Sequence, residues 1–345
     1  MTTIETKRKK DDRYWMRKAL HLAERGIGTV SPNPMVGAVI VKQGRLLGQG
    51  WHVRPGEAHA EINAIRSLKN PGSCKNATIY VTLEPCSSWG RTPPCCDALI
   101  RYGFSRVVIG SIDPNPKHAG NAVALLRSHG IEVVTDVEKK ACDHLNRSFF
   151  KWIQTGKPFV LLKMAETLDG KIACANGCSQ WITSAPARKR VQKLRLQADV
   201  IMAGGETYRM DHPRFTVRQE DGTVIKTPRR IIVSNHPEKL VFPDGSWETA
   251  ALPTPGDWQD FFARLGEENV TNVLLEGGGE LAASALAADI VDEVEFHIAP
   301  KILGGRDSRT AVAGENPLDL QNAYHLKNME VKKVGCDLVI RGSIH

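Results

Sequence analysis

Short apolar runs alternate with segments of helical period along this chain, and the alternation breaks once, near residue 150, before resuming. That pattern argues for α/β layers, in which strands joined by helices build a sheet covered on its faces. In the first series, "DDRYWMRKALHLAERG" sets Trp15, Met16, Ala19, Leu20 and Ala23 at helical spacing, with Asp12 as candidate cap and Gly26 as stop. "VGAVIVKQGRLLGQGW" predicts a hairpin of Val36 to Val41 and Arg45 to Trp51, turning at Gln43-Gly44. A helix follows from His59 in "HAEINAIRSL", and "ATIYVTLEP" predicts a buried strand. "RVVIGSIDPNP", "GNAVALLRSHG" and "IEVV" continue as strand, helix and strand. "NRSFFKWIQTGKP" reads as a connector, because Gly156, Lys157 and Pro158 precede the new strand "FVLLKMA". The second series runs through "ADVIMAGG", "RRIIVS", "NVLLEGGGELAASALAA", "VDEVEFHIAP" and "DLVIRG". Two unlike domains, 1–150 and 157–345, suit a chain of 345 residues.

Composition narrows the functional classes. A hydrophobic content of 41% with 24% charged residues is that of an ordinary globular protein, without disordered or fibrous bias. The net charge of +8 suits an anionic partner, but it reads as an evenly spread surplus, since the densest run, Lys7 to Lys10, meets Asp11-Asp12 at once. No apolar segment follows the charged start, and no stretch is long enough for a membrane span. A cytoplasmic location is expected, where eight cysteines serve as thiols or metal ligands rather than disulfides.

The cysteine-rich stretch "LEPCSSWGRTPPCC" carries the most specific chemistry. His59-Ala60-Glu61 opens a helix and Pro85-Cys86 closes a strand, an order that resembles the H-x-E and P-C signature of zinc deaminases. One imidazole and two thiolates leave zinc an open position for a water whose pKa the metal lowers. Glu61, two residues beyond His59, is placed to take that water's proton and pass it to departing ammonia. The signature's second cysteine normally follows after two residues, whereas here the next thiol is Cys95. The loop must therefore fold back, helped by Gly90 and Pro93-Pro94, and it carries Arg91 outward.

"SPNPMVGAVIV", "HAE", "TLEPCSSWGRTPPC" and "DPNP" resemble the deaminase half of the bacterial bifunctional riboflavin-biosynthesis enzymes, which join a pyrimidine deaminase to a reductase. The resemblance implies a cytidine-deaminase-like three-layer domain with His59, Cys86 and Cys95 as zinc ligands, Glu61 as proton shuttle and Cys96 facing away. It puts Asn33, His52, Arg91, Asp113 and Asn115 around the pyrimidine and its ribose phosphate. Ser88 stands where the family usually has His, and Ala122 where it has a second Gly after "DPNP".

"LLKMAETLDGKIA", "GCSQWITS", "ADVIMAGGETYRMDHPRFTVR" and "VLLEGGGELAASAL" resemble the reductase half of the same enzymes. The implied fold is dihydrofolate-reductase-like with a mixed sheet, and the implied cofactor is NADPH. Cofactor positions fall on Ala165, Trp181, Thr207, Asp211, Ser234 and Gly278. Substrate positions fall on Lys163, Ser179, Arg195, Arg218 and Glu276, with Arg195 and Arg218 as bidentate phosphate binders and Asp211 at the hydride-transfer centre. Gly277 to Gly279, between strand and helix, offer backbone N–H groups to a phosphate, although the motif alone is weak. Cys174 and Cys178 read as ordinary thiols.

The implied activity is zinc-dependent deamination of 2,5-diamino-6-ribosylamino-4(3H)-pyrimidinone 5′-phosphate, then reduction of the ribosyl to a ribityl chain. The expected partner is that small phosphorylated pyrimidine, with no nucleic acid and no membrane, and a homo-oligomer is implied by resemblance. A nucleic-acid base deaminase with a basic accessory domain is the alternative, weakened by the absence of basic residues interleaved with aromatics. A closed structural zinc site is the reading from another class, and it needs Cys96 as a fourth ligand.

Overall fold

The computed structural model describes residues 11–89, 93–115, 119–242, 245 and 247–344. The chain divides into two compact units, Met1–Thr155 and Gly156–His345. In the first, chain order is α1 (Asp12–Ala23), β1 (Gly37–Lys42), β2 (Arg45–Trp51), α2 (Ala60–Arg66), β3 (Thr78–Leu83), α3 (Cys95–Arg101), β4 (Arg106–Ser111), α4 (Asn121–Ser128), β5 (Glu132–Val134), α5 (Lys139–Leu145) and α6 (Arg147–Thr155). The strands order as β2-β1-β3-β4-β5. β1 pairs antiparallel with β2 and β3, while β3, β4 and β5 run parallel.

Strand alternation explains the three layers. Ala38 and Ile40 of β1 face a core shared with α2, α3 and α4, while Val39 and Val41 face α1 and Cys142 of α5. The hairpin turns at Gln43 (φ 51°) and Gly44 (φ 70°), both left-handed, as a tight two-residue turn demands. A Cβ on Gly50 would lie 2.4 Å from the Ala64 nitrogen, so only glycine lets α2, the helix His59 caps, lie so close to β2.

Two expectations are corrected. Asp11, not Asp12, caps α1, accepting the Tyr14 N–H at 2.9 Å. Asp12 instead binds Arg106 through both oxygens (2.8 and 2.9 Å) and the Tyr80 hydroxyl (2.8 Å), so long-range partners decide between two adjacent aspartates. The expected connector is largely helical, as α6, because "RSFFKWIQT" carries no Gly or Pro before Gly156, whose φ of 70° ends it.

The second unit comprises β6 (Phe159–Thr167), β7 (Lys171–Ala173), α7 (Ala185–Gln197), β8 (Val200–Gly204), α8 (Gly205–Asp211), β9 (Val217–Arg218), β10 (Val224–Lys226), β11 (Arg229–Val233), β12 (Trp247–Ala250), α9 (Pro255–Glu267), β13 (Asn272–Glu276), α10 (Gly279–Ala287), β14 (Glu293–Ala299), β15 (Arg309–Thr310), β16 (Lys327–Val334) and β17 (Asp337–Ser343). Its main sheet orders as β12-β11-β8-β13-β6-β14-β17-β16 and is mixed. β12 through β14 run parallel, and β17 is antiparallel to both its neighbours. Val160, Leu162 and Met164 of β6 face Trp258 and Phe262 of α9 and Leu281 of α10, while Phe159 and Leu161 share a second core with Leu194 of α7 and Tyr208 of α8. Among the described residues, no helix is long and apolar enough to cross a membrane.

Candidate active sites

The sheet of the first unit delivers three donors to one point. His59 caps α2, Cys86 follows β3, and Cys95 opens α3, a helix not foreseen in the sequence. The Cys86 and Cys95 sulfurs lie 3.4 and 3.3 Å from His59 Nδ1, and all three donors fall within 4.8 Å of one another. Tetrahedral zinc with bonds of about 2.3 Å to sulfur and about 2.0 Å to nitrogen has an N···S edge of roughly 3.5 Å, so the spacing suits one ion. Cys96 turns away into the core, with its thiol toward the Pro85 carbonyl.

Electrostatics agree with a cation at this point. Contact with the Cys95 side chain, opposed by burial and aided by His59, holds the Cys86 thiol at about 4. The Cys86 sulfur in turn pushes His59 up to about 9, and sharing a proton with Cys86, together with burial, drives Cys95 well above the usual thiol range. Packed donors that share protons in this way are those from which a dication displaces protons. Glu61 is buried, burial raises its carboxyl, and its Oε2 has no hydrogen-bond partner. A buried oxygen left without a partner calls for one from solvent or ligand. The donor set and this carboxyl fit zinc with one open position.

Around this centre, His52 is buried and its burial lowers its pKa, favouring the neutral ring. Nδ1–H then donates to the Ala58 carbonyl (3.2 Å) and Nε2 accepts from the Asn33 amide (3.0 Å). The His52 ring stands edge-on to His59, 5.5 Å between centroids. Asn146 holds the Asn33 loop by accepting the Met35 N–H (2.8 Å) and donating to the Met35 carbonyl (2.9 Å). Asp113 accepts the Asn115 N–H (2.9 Å) in a turn that Glu84 anchors. The buried Glu84 carboxylate accepts N–H groups of Asp113, Gly120 and Ala122 at 3.2, 3.0 and 3.0 Å. Sequence reasoning missed Glu84 and Asn146; a carboxylate ending a buried strand just before Pro-Cys was the available signal. Ala122 serves here through its backbone N–H, which needs no glycine. Ser88 is exposed, and Arg91 lies outside the described residues.

In the second unit, Lys163, Ala165, Ser179, Trp181, Arg195, Thr207, Asp211, Arg218, Ser234, Glu276 and Gly278 all line one cavity of about 1350 Å³. Ser234 and Gly278 follow parallel strands β11 and β13, and Glu276 ends β13. Crevices at the carboxyl ends of parallel strands are where α/β sheets bind ligands. Ser179 donates to Asp211 Oδ1 at 2.7 Å. Trp181 is exposed, with the Arg188 guanidinium 4.5 Å over its ring and its carbonyl accepting from Lys301 (2.8 Å). A Cβ on Gly279 would meet the Thr310 carbonyl at 2.5 Å, so packing demands that glycine. A Cβ on Gly278 would meet only Thr207 Oγ1, at 3.8 Å, so there the glycine keeps cavity space open.

One assignment needs correction. Arg195 grips Glu276 through Nε and Nη2 (2.7 and 2.9 Å) and so is not free for bidentate phosphate binding. Glu276 is buried, and a carboxylate kept charged there needs a fork of donors. Arg218 donates from Nε to Thr216 Oγ1 (2.7 Å), and its terminal nitrogens carry no partner among the described residues. Cys174 and Cys178 join no metal-capable cluster among the described residues.

Comparison with known proteins identifies the class of both halves of the chain. The family model of the cytidine and deoxycytidylate deaminase zinc-binding region matches residues 9–111, and that of the RibD C-terminal domain matches residues 158–340. A zinc-binding deaminase region followed by a reductase domain defines the class: a bifunctional deaminase and reductase. The riboflavin biosynthesis protein RibD of Actinobacillus pleuropneumoniae is 40% identical over 95% of this chain and 94% of its own length, and that of Escherichia coli K12 is 37% identical over 95% and 97%. A Thermotoga maritima diaminohydroxyphosphoribosylaminopyrimidine deaminase/5-amino-6-(5-phosphoribosylamino)uracil reductase superposes with a TM-score of 0.85 at 33% identity, covering 96% of this chain and 98% of its own. Acinetobacter baumannii RibD gives 0.84 at 32%, with the same coverage. The chain belongs to the RibD family of riboflavin-biosynthesis proteins.

Proposed function

We propose that residues 1–150 form the deaminase domain and 157–345 the reductase domain, acting in turn on the diaminopyrimidinone ribosyl phosphate. His59, Cys86 and Cys95 hold zinc, which when bound supplies an acidified water as nucleophile. Glu61, whose buried Oε2 has no protein partner, is the group that would accept a proton from the attacking water and return it to the leaving amine, so that an amino group is exchanged for oxygen and ammonia departs. Asn33, His52, Asp113, Asn115 and Arg91 surround the pyrimidine and its phosphate. The partnerless Glu61 Oε2 beside three convergent donors carries this reading.

NADPH supplies hydride in the second domain. Ala165, Trp181, Thr207, Ser234 and Gly278 line its place, and Asp211, hydrogen-bonded to Ser179, sits at the transfer centre. Lys163, Ser179 and Arg218 bind the substrate, with Glu276 and Arg195 beneath them as an ion pair. A cavity of about 1350 Å³ exceeds the few hundred to about 1000 Å³ of a single-ligand site, which supports cofactor and substrate binding together. The nucleic-acid alternative leaves this second cavity without a role. A homo-oligomer in the cytoplasm is the state the resemblance implies, and light scattering measures its size.

Mass spectrometry of the diaminopyrimidinone ribosyl phosphate, incubated with zinc-loaded protein with and without NADPH, tests the whole scheme. The expected result is exchange of one amino group for oxygen without cofactor and addition of two hydrogens with it. An unchanged substrate, with folded and zinc-bound protein, would overturn it.

A further inference from the structure

The sheet of the second unit carries a row of charges at one level. In register, Glu276 on β13 neighbours Lys163 on β6, Lys163 neighbours Glu295 on β14, and Glu295 neighbours Arg341 on β17. Cross-strand neighbours share a face, so the four side chains alternate in sign beneath α7. Each carboxylate is taken by an arginine fork from α7. Arg195 holds Glu276, and Arg190 holds Glu295 through Nε and Nη2, both at 2.7 Å. Glu295 also meets His297 Nε2 at 2.8 Å and Arg341 Nη1 at 3.4 Å, and Glu293 pairs with Arg341. Glu295 and His297 are fully buried, and the Nδ1 of His297 has no partner.

Lys163, between the two carboxylates, hydrogen-bonds to neither and has no ion-pair partner among the described residues; it lines the cavity. Glu330 on β16 extends the row opposite Arg341 and acts on Arg190, so the carboxylates Glu276, Glu293, Glu295 and Glu330 face the cations Arg190, Arg195, Arg341 and Lys163, of which Lys163 has no direct partner among the described residues. Burial lowers its pKa, Glu276 raises it, Arg195 lowers it and Glu295 raises it. Asp211 and Arg218 are charged groups lining the same cavity.

We propose that Glu295, locked by Arg190, Arg341 and His297, is a positioning residue of the reductase site: it steadies the charge of Lys163 across the sheet and leaves the ammonium unpaired for an oxygen of the substrate's ribosyl chain. This rests on the reading of the cavity as the reductase site. Because its partners hold Glu295 back from a direct pair with Lys163, it acts at a distance and touches no substrate itself.

Glu295→Gln keeps the shape and removes the charge. Two readouts are taken on full-length, zinc-loaded protein: the pH profile of kcat/KM for NADPH-dependent reduction, and the pH titration of the Lys163 13Cε resonance, assigned by its loss in Lys163→Arg. Both the alkaline limb and the resonance are expected to move down by about one pH unit, the usual size of a nearby-charge effect. Arg190→Gln, at a side chain 26% exposed, removes a cation and must move both upward, which covers the case of a Glu295→Gln protein that does not fold. Limb and resonance unmoved in the folded variants would overturn the proposal. A shifted resonance in protein that reduces no substrate would uphold the coupling of Glu295 to Lys163 and overturn the reductase reading instead.

Discussion

The candidate metal centre of the first unit and the cavity of the second are assembled over different distances along the chain. His59, Glu61, Cys86 and Cys95 fall within one stretch, on the ends of two helices and a strand. The cavity draws on residues from Lys163 to Ala313, supplied by strands, helices and loops alike. A metal centre needs few donors of unusual type in tight geometry, so a short motif can specify it. A large cleft for two ligands needs many common residue types, and only the stacking of strands brings them together. The first site should therefore fail abruptly when one residue changes, and the second by degrees.

Four experiments can break or sharpen that contrast. Cys86→Ala should give the largest effect: zinc content falls toward zero by elemental analysis and deamination falls to background, while reduction of the deaminated intermediate proceeds at the native rate. Parallel loss of both activities would mean that the units are not separable. Glu61→Gln should retain zinc yet lower the deaminase kcat by about 10²–10⁴-fold, the usual contribution of a proton-transfer group; a smaller loss would move the proton role elsewhere.

In the second unit the effects are graded. Gly278→Val should raise the KM for NADPH roughly tenfold, from an overpacking cost of about 1–3 kcal/mol, with the melting temperature unchanged. Gly279→Val, whose Cβ meets the Thr310 carbonyl at 2.5 Å, should lower the melting temperature instead. If the two variants behave alike, Gly278 does not keep the cavity open. The smallest effect is on acid stability. Burial alone would raise Glu295, but hydrogen bonds from His297 and Arg190 outweigh it and hold the carboxyl at about 2. Its stabilising contribution is present above the ordinary carboxylate pKa near ~4.3 and is lost as pH falls toward 2. Thermal melts between those limits should flatten in Glu295→Gln, and an unchanged slope would remove Glu295 from the acid transition.

Residues far apart show where reading the chain reached its limit. The apolar periods of β1, β3, β4, β6, β8, β11 and β13 were legible because a buried strand is mostly apolar along its length, and β14 because it alternates polar with apolar residues. The helices α3, α5, α7, α8 and α9 went unread. α3 begins among prolines and paired cysteines, and the α9 signal, the Thr254 and Asp257 capping box, is short and local. Asp12 appeared to be a cap and became the partner of Arg106, 94 residues away. Arg195 appeared to be a phosphate ligand and became the counter-ion of Glu276. In each case the local pattern allowed two roles, and a partner distant in sequence selected one.

By itself the sequence determined the α/β class and the family, and it named His59, Cys86 and Cys95 as candidate zinc donors, because apolar periodicity and rare residue types at fixed spacing act over short range. The tertiary structure alone decided that Cys96 faces the core, that Glu84 and Asn146 anchor the loops of the first site, and that Glu276, Lys163, Glu295 and Arg341 stand in one row. The physical reason is that buried charge must be compensated wherever the fold brings opposite charge near. That neighbour is set by strand order and register, which no single stretch of residues encodes.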